Sequence, residues 1–260
     1  MNNALLISTY NWPDALHLVL KSVEKQSVKP DEILIADDGS SNETKDVIDI
    51  FKKLGLPIKH IWQEDDGFKR TSILNKAIAA SKADYIIQID GDCIIHEKFV
   101  EDHLILAKAN TFLFGSRVNI KENAVAEVFQ AEQTQFNFTS NKISKKTRNL
   151  HVPLFRDLYT ETTELSKKVR GCNLSFWRKD FISINGYNEE MTGWGKEDSE
   201  MITRLLNSGV KGKRLRYGGI LYHIWHKASS RSQENINEKI EAKTAQENLK
   251  RCARGIDQYL

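Results

Sequence analysis

The stretch Tyr85-Ile86-Ile87-Gln88-Ile89-Asp90-Gly91-Asp92-Cys93 constrains the fold more than any other part of the chain. A mostly apolar run that stops at a turn signal reads as a buried strand. Ligands in open α/β sheets bind beyond the carboxyl ends of such strands. Asp90 and Asp92 are therefore expected to project into a binding crevice, with Gly91 letting the backbone approach a ligand. Two hard oxygen donors suit Mg²⁺ or Mn²⁺, above all where a substrate phosphate completes the shell. The same tripeptide is also an ordinary solvated turn, so its neighbours have to decide.

The first hundred residues repeat the pattern. Ala4 to Ser8 reads as a strand, and Asn11 or Asp14 is placed to cap a helix running to about Gln26 on Leu16, Val19, Leu20 and Val23. Asp31 to Ala36 is a second strand, ending in Asp37-Asp38-Gly39-Ser40. A helix over 42–54, a strand over 58–62, a polar loop and a helix over 73–81 lead to the Asp90/Asp92 strand. Strands alternating with helices predict an α/β fold: a mixed, mostly parallel central sheet flanked by helices. Two strands ending in acidic, glycine-containing turns suit a nucleotide-binding half-sheet. No Gly-x-Gly-x-x-Gly follows the first strand and no Walker glycine loop is present, which removes most support from dinucleotide dehydrogenases and P-loop enzymes.

The net charge of +3 is too small to argue for nucleic acid, though it is compatible with an anionic substrate. Cys93, Cys172 and Cys252 are an odd set at no metal-like spacing and read as reduced thiols. With no signal-peptide pattern and no apolar run of about 20 residues, the expected location is the cytoplasm.

The second half is less regular. From Asn119 to Lys168 periodicity fades, and Lys142, Lys145, Lys146 and Arg148 form a basic cluster. That cluster is either a solvated loop, a lid, or an acceptor-side surface that meets anionic material. Arg170 to Trp177 reads as a strand and Asn185-Gly186-Tyr187 as a turn. Thr192-Gly193-Trp194-Gly195-Lys196-Glu197-Asp198 leads into a helix, so Glu197 and Asp198 sit where the helix dipole favours carboxylates. A carboxylate beside a large aromatic in a cleft is also a candidate general base. Arg216 to Leu221 reads as a strand preceding Tyr222-His223-Ile224-Trp225-His226. Two histidines three apart can share a metal if the backbone turns there; on a straight strand they would face opposite ways, leaving one of them to ligate. Ile236, Ile240, Ala245 and Leu249 predict a helix packed on the surface within 233–260, with peripheral membrane contact as a second option.

Taken together these residues resemble the nucleotide-sugar glycosyltransferases of family 2, which have the fold called GT-A. Ile-Ser-Thr-Tyr-Asn at 7–11, Ala-Asp-Asp-Gly-Ser at 36–40 and Ile-Asp-Gly-Asp at 89–92 match the donor half. The second half is similar to the catalytic end of bacterial chondroitin-polymerase-type transferases and animal β-1,4-galactosyltransferases. That match runs through Arg170–Trp177, Asn185–Tyr187, Gly193–Asp198 and His223–His226. The resemblance implies a donor half over 1–115, an acceptor and catalytic half over 116–227, and a helical tail over 228–260. It implies donor contacts from Ser8, Asp38, Arg70, Asp90 and Asp92, and a sugar-site wall from Trp194. Metal binding falls to Asp92 and His226, with His223 standing where the animal enzymes use methionine. Asp198 matches the catalytic base and Glu197 a contact to substrate hydroxyls; Lys196 departs from a glycine found in many relatives.

The implied reaction is an inverting transfer of a sugar from a UDP-sugar to a hydroxyl of a glycan or glycolipid acceptor, in bacterial surface polysaccharide or lipopolysaccharide synthesis. An oxygen-rich site with an imidazole favours Mn²⁺ over Mg²⁺. The competing expectations are a sugar-nucleotide pyrophosphorylase and a non-catalytic carbohydrate- or partner-binding domain of the same fold. The donor sugar, the acceptor and the oligomeric state are not written in these motifs.

Overall fold

The computed structural model describes residues 1–227 and 233–260. Its centre is β1 (Asn3–Thr9), a strand with Ala4, Leu5, Leu6 and Ile7 fully buried. Such unbroken apolarity is what a strand covered on both faces requires. α1 (Pro13–Glu24), β2 (Glu32–Asp37), α2 (Asn42–Lys53), β3 (Ile58–Trp62), α3 (Arg70–Ala79) and β4 (Tyr85–Asp90) follow. The four strands pair in parallel in the order β3-β2-β1-β4, as the alternation of strand and helix predicts.

Beyond β4 come β5 (Cys93–Ile95), α4 (Phe99–Leu106), β6 (Thr111–Phe114) and β7 (Arg117–Ile120). α5 (Val125–Gln130), β8 (Ile143–Ser144) and β9 (Glu161–Thr162) lie in the aperiodic stretch. β10 (Leu174–Trp177), α6 (Arg178–Ser183), α7 (Glu197–Asn207), β11 (Lys211–Arg214), β12 (Leu221–His223) and α8 (Glu234–Gln246) complete the chain. The main sheet runs β3-β2-β1-β4-β10-β6-β11-β9, with β10 antiparallel to both neighbours, so it is mixed. A second sheet, β5-β12-β7-β8, stands beside it. Nothing in the periodicity foretells this second sheet, because its strands are only two to four residues long.

Side chains alternate across β1 and sort the core into two layers. Leu5 and Ile7 join Leu16, Val19 and Leu20 of α1, Ile48 of α2 and Phe99 of α4. Ala4 and Leu6 join Ile73 and Leu74 of α3, Phe181 of α6 and Met201 and Leu205 of α7. Each fully buried Leu or Ile contributes about 1.5–3 kcal/mol. α7 is further fixed by Arg204, wholly buried, which donates from Nε and Nη2 to the two oxygens of Glu200 (2.8 and 2.6 Å). That pair holds the helix whose first residues are Glu197 and Asp198.

Several local expectations need correction. Neither Asn11 nor Asp14 caps α1: Pro13 opens it, its fixed φ and missing N–H suiting the first helical position, and Trp12 precedes it. Asn11 instead takes φ +45° and accepts the Ser41 N–H on Oδ1. α3 begins at Arg70 rather than Ile73. The strand expected over 170–177 is confined to β10, since residues 171–173 curl into a 3₁₀ turn around Asn173, which donates to the carbonyls of Ser116 and Gly219. The strand expected over 216–221 is a bend between β11 and β12, pinned by the Gly219 N–H on Asp102 (2.8 Å). α8 buries Asn237 and Thr244, while Ile236 is 54% exposed. Its apolar spacing therefore pointed to the wrong face, because the contact it makes is polar. No helix among the described residues is long and apolar enough to cross a membrane.

Candidate active site

Strand ends β1 and β4, the start of α3, the start of α7 and the chain after β12 converge on one cleft of about 650 Å³. Ser8, Asp38, Arg70, Asp90, Asp92, Trp194, Glu197, Asp198, His223 and His226 all line it. The ten residues singled out in the sequence are thus brought together, from positions as far apart as 8 and 226.

Arg70 is the hub. Its guanidinium reaches Asp90 (2.7 Å), Asp198 (3.3 Å) and Glu197 (3.4 Å), and Asp90 also accepts the Ser8 hydroxyl (3.0 Å). Burial opposes the charge on Arg70, but the three carboxylates more than offset it and hold its pKa well above the ordinary value. Starting α3 at residue 70 puts this side chain at the mouth of the sheet.

Asp198 meets only donors. Oδ2 accepts the Gly171 N–H (2.9 Å), and Oδ1 faces the Tyr187 hydroxyl (3.2 Å) and Arg70. The approach at Gly171 is so close that a Cβ there would lie 2.1 Å from Oδ2. Tyr187 has one proton, which it shares between Asp198 and Gln88 Oε1 (3.0 Å). Gln88 in turn donates to the Gly171 carbonyl (3.0 Å). Gln88 and Tyr187 build the site although the sequence reading gave neither a role in it. The signal for Gln88 was its amide in an otherwise apolar buried strand; Tyr187 stood in the Asn185–Tyr187 motif with no role attached.

Glu197 lies beside Asp198 but is far more enclosed, with 7% of its side chain exposed against 22%. Its carboxyl is pushed up to about 7, chiefly by burial and next by the Asp198 charge, with Arg70 partly offsetting both. Glu197 Oε2 accepts the Gly195 N–H (2.9 Å), which ties it to the Gly193–Lys196 loop. That loop runs through three left-handed residues, Gly193, Gly195 and Lys196 (φ +73°, +113° and +74°). For Lys196 this is a conformation glycine would hold more cheaply. It is anchored from α8, where Glu241 and Glu238 face its ammonium (3.1 and 3.6 Å). Asn237 donates to the carbonyls of Thr192 and Gly195 (3.1 and 2.9 Å). The glycine departure therefore does not loosen the loop: α8 clamps it.

Asp92 faces both imidazoles. His226 Nε2 is 3.1 Å and His223 Nε2 3.4 Å from its Oδ2. Of the two alternatives for the histidines, the backbone takes the turn: β12 ends at His223 and the chain leaves strand geometry before His226, so both rings reach Asp92. Burial pushes Asp92 up, but the His226 hydrogen bond and the two imidazoles outweigh it and lower its pKa. His226 is raised, chiefly by Asp92, while burial lowers His223. One carboxylate oxygen and two imidazole nitrogens within 4.8 Å of one another suit a divalent first-row ion. Cys93, Cys172 and Asp90 form a second close group, but burial keeps the Cys93 thiol protonated well above its ordinary range. Asp38 is mostly enclosed, accepting from Gln63 (2.5 Å) and from the Lys69 N–H (2.9 Å), which raises the wall of the cleft beside Arg70.

Comparisons with known proteins identify the family and the fold. A family model described as glycosyl transferase family 2 matches residues 4–157, and one described as the N-terminal domain of galactosyltransferase matches residues 159–227. Chondroitin synthase of Escherichia coli is 26% identical over 85% of this chain, which spans only 34% of that relative. Among solved structures, GalNAc-T7 with UDP, GalNAc and Mn²⁺ superposes with a TM-score of 0.69 at 16% identity, covering 94% of this chain and 48% of that one. Staphylococcus aureus TarS 1–349 in complex with UDP gives 0.66 at 14% identity, covering 100% and 68%. With the first family match running through more than half of the sequence and the second beginning where it stops, this chain belongs to glycosyl transferase family 2 and has the GT-A fold.

Proposed function

We propose that the protein is a metal-dependent, inverting glycosyltransferase that moves a sugar from a UDP-sugar to a hydroxyl of a glycan acceptor in bacterial polysaccharide synthesis. One observation carries the reading: an Asp-His-His group suited to a divalent ion and a carboxylate pair gripped by Arg70 line the same cleft. The nucleotide and ion named in the neighbouring structures, and the polysaccharide named in the relative, support it.

In this reading the donor half is 1–115 and the acceptor half 116–227. Asp38 and Ser8 meet the nucleoside, Asp90 and Arg70 border the donor, and Trp194 walls the sugar site. Asp92, His223 and His226 would hold the ion, Mn²⁺ in preference to Mg²⁺, which supplies Lewis-acid neutralisation of the charge on the departing diphosphate. Asp198 takes the proton of the acceptor hydroxyl as that oxygen bonds to the anomeric carbon. The carbon–phosphate-oxygen bond breaks on the opposite side, and UDP leaves with the electron pair. General-base assistance of this kind contributes about 10²–10⁴-fold. Arg70 fixes the base from behind. Glu197, part-protonated near neutrality, donates a hydrogen bond to a sugar oxygen.

The test is UDP release across a panel of UDP-sugars, with and without Mn²⁺, for the wild type and Asp92→Ala. Metal-dependent release from one donor, lost in the variant, is the expected result. Pyrophosphate exchange without UDP release would sink the transferase reading in favour of a pyrophosphorylase, and silence in both assays would favour a binding domain.

A further inference from the structure

The basic residues beside the cleft divide into paired and unpaired sets. Lys142 is paired with Glu127 (2.8 Å), and Lys146 donates to the Thr139 carbonyl (3.2 Å). The neighbouring acids are taken as well: Asp157 by Lys213 (2.8 Å) and Glu161 by Lys108 and Lys211 (2.5 and 3.5 Å). Arg117, Lys145, Arg148, Arg170, Arg214 and Arg216, like Lys146, form no ion pair with any described carboxylate, and Arg170 donates only to the carbonyls of Lys167 and Val169. Two of them, Arg117 and Arg170, line the cleft itself.

The others are built in against these two. Arg148 donates to the Arg117 carbonyl (3.0 Å), and its own N–H bonds the carbonyl of Lys145 (2.9 Å), which is held at φ +57°. Arg214 and Arg216 lie over the rings of Tyr159 and Tyr217, each 4.9 Å from the centroid. Arg214 Nε is buried with no hydrogen-bond partner among the described residues. The like charges are close enough to act on one another: with burial, Arg216, Arg214, Arg117 and Arg170 all lower the pKa of Arg148. A protein does not gather unpaired guanidinium groups at a cleft edge without a stability cost. Planar forks that bind carboxylate or phosphate explain why five of the six are arginines.

We propose that this cluster is the seat for an anionic group, phosphate or carboxylate, on the acceptor, so that the acceptor is a charged glycan rather than a neutral one. The proposal rests on the cleft being a sugar-transfer site. The competing source of the same chemistry is the diphosphate of the donor, so the probe is inorganic phosphate titrated onto protein already saturated with UDP and Mn²⁺. Wild type is expected to bind phosphate in a salt-sensitive way. Arg148→Gln/Arg216→Gln should weaken that binding about tenfold while leaving UDP affinity and the melting temperature in place. Lys142→Gln, which removes a paired cation, should change nothing. Methyl β-glucuronide should compete with phosphate and methyl β-glucoside should not.

Loss of phosphate binding when UDP is added would assign the cluster to the donor and overturn the proposal. Absence of phosphate binding to wild type, or equal affinity in the double variant, would also overturn it. Failure of UDP itself to bind would count against the transferase reading alone. The same titration on nucleotide-free protein, with loss in the double variant expected, would then judge the cluster.

Discussion

Asp198→Asn separates the proposed base from everything else in the cleft. The wild-type carboxylate faces three donors: the Gly171 N–H, the Tyr187 hydroxyl and Arg70. An amide has one acceptor atom, so in either orientation its NH₂ must point at a donor. Keeping Oδ1 on Arg70 and Tyr187 turns the NH₂ onto the Gly171 N–H and leaves that group unsatisfied, at about 1–3 kcal/mol. The reverse orientation sets the NH₂ against Arg70, which is worse; Tyr187 loses little, since Gln88 takes its proton at 3.0 Å. A loss of about 2 kcal/mol lowers the melting temperature of a protein this size by roughly 4–8 °C, which leaves it folded at assay temperature. Removing the base should cost about 10²–10⁴-fold in kcat, or about 3–5 kcal/mol of barrier. Asp198 has no contact with Asp92 or the two histidines, so UDP affinity by calorimetry should stay within about twofold. Transfer within about tenfold of wild type in a folded variant, or collapse of UDP affinity with transfer intact, would refute the assignment.

Glu197→Gln tests the electrostatics through stability. The carboxyl titrates near 7 in the folded protein against 4.5 for the ordinary group, so the native state holds the extra proton between those values. Stability from this group is full below about pH 4.5, falls as pH rises and is lost above about pH 7, by roughly 3 kcal/mol in all. The glutamine variant should flatten that part of the urea-midpoint curve, and an unchanged slope between pH 4.5 and 7 would show the burial argument to be wrong. Asn237→Ala tests the clamp on the Gly193–Lys196 loop. Two loop carbonyls lose their shared donor, so the urea midpoint should fall by the equivalent of about 1–3 kcal/mol. Turnover should drop while UDP affinity is kept; equal turnover would mean that α8 does not position Glu197 and Asp198.

How much of this was legible beforehand follows from the range of the interactions. Strands β1 to β4 and their helices announce themselves because a sheet covered on both faces demands unbroken apolar runs, and amphipathic helices repeat every few residues. Asp90, Asp92, Glu197, Asp198 and the two histidines were legible as motifs, since each sits at an element end within a few residues of a glycine or an aromatic. The second sheet was not, because strands of two to four residues carry no period. The face that α8 buries was misread for a related reason: Asn237 and Thr244 pack there through hydrogen bonds, which hydropathy does not see.

What the sequence determined alone is the parallel half-sheet of β1 to β4, the acidic strand ends and the order of the motifs, all consequences of local pattern. What only the tertiary structure decided is which charges meet. Arg70 grips Asp90, Glu197 and Asp198, residues 20 to 128 positions away along the chain. Arg117, Lys145, Arg148, Arg170, Arg214 and Arg216 become a cluster only when β7, β11 and the turn before β10 are brought side by side. Charge interactions act through space over several ångströms and are indifferent to sequence separation, so no reading of neighbours along the chain could have found them.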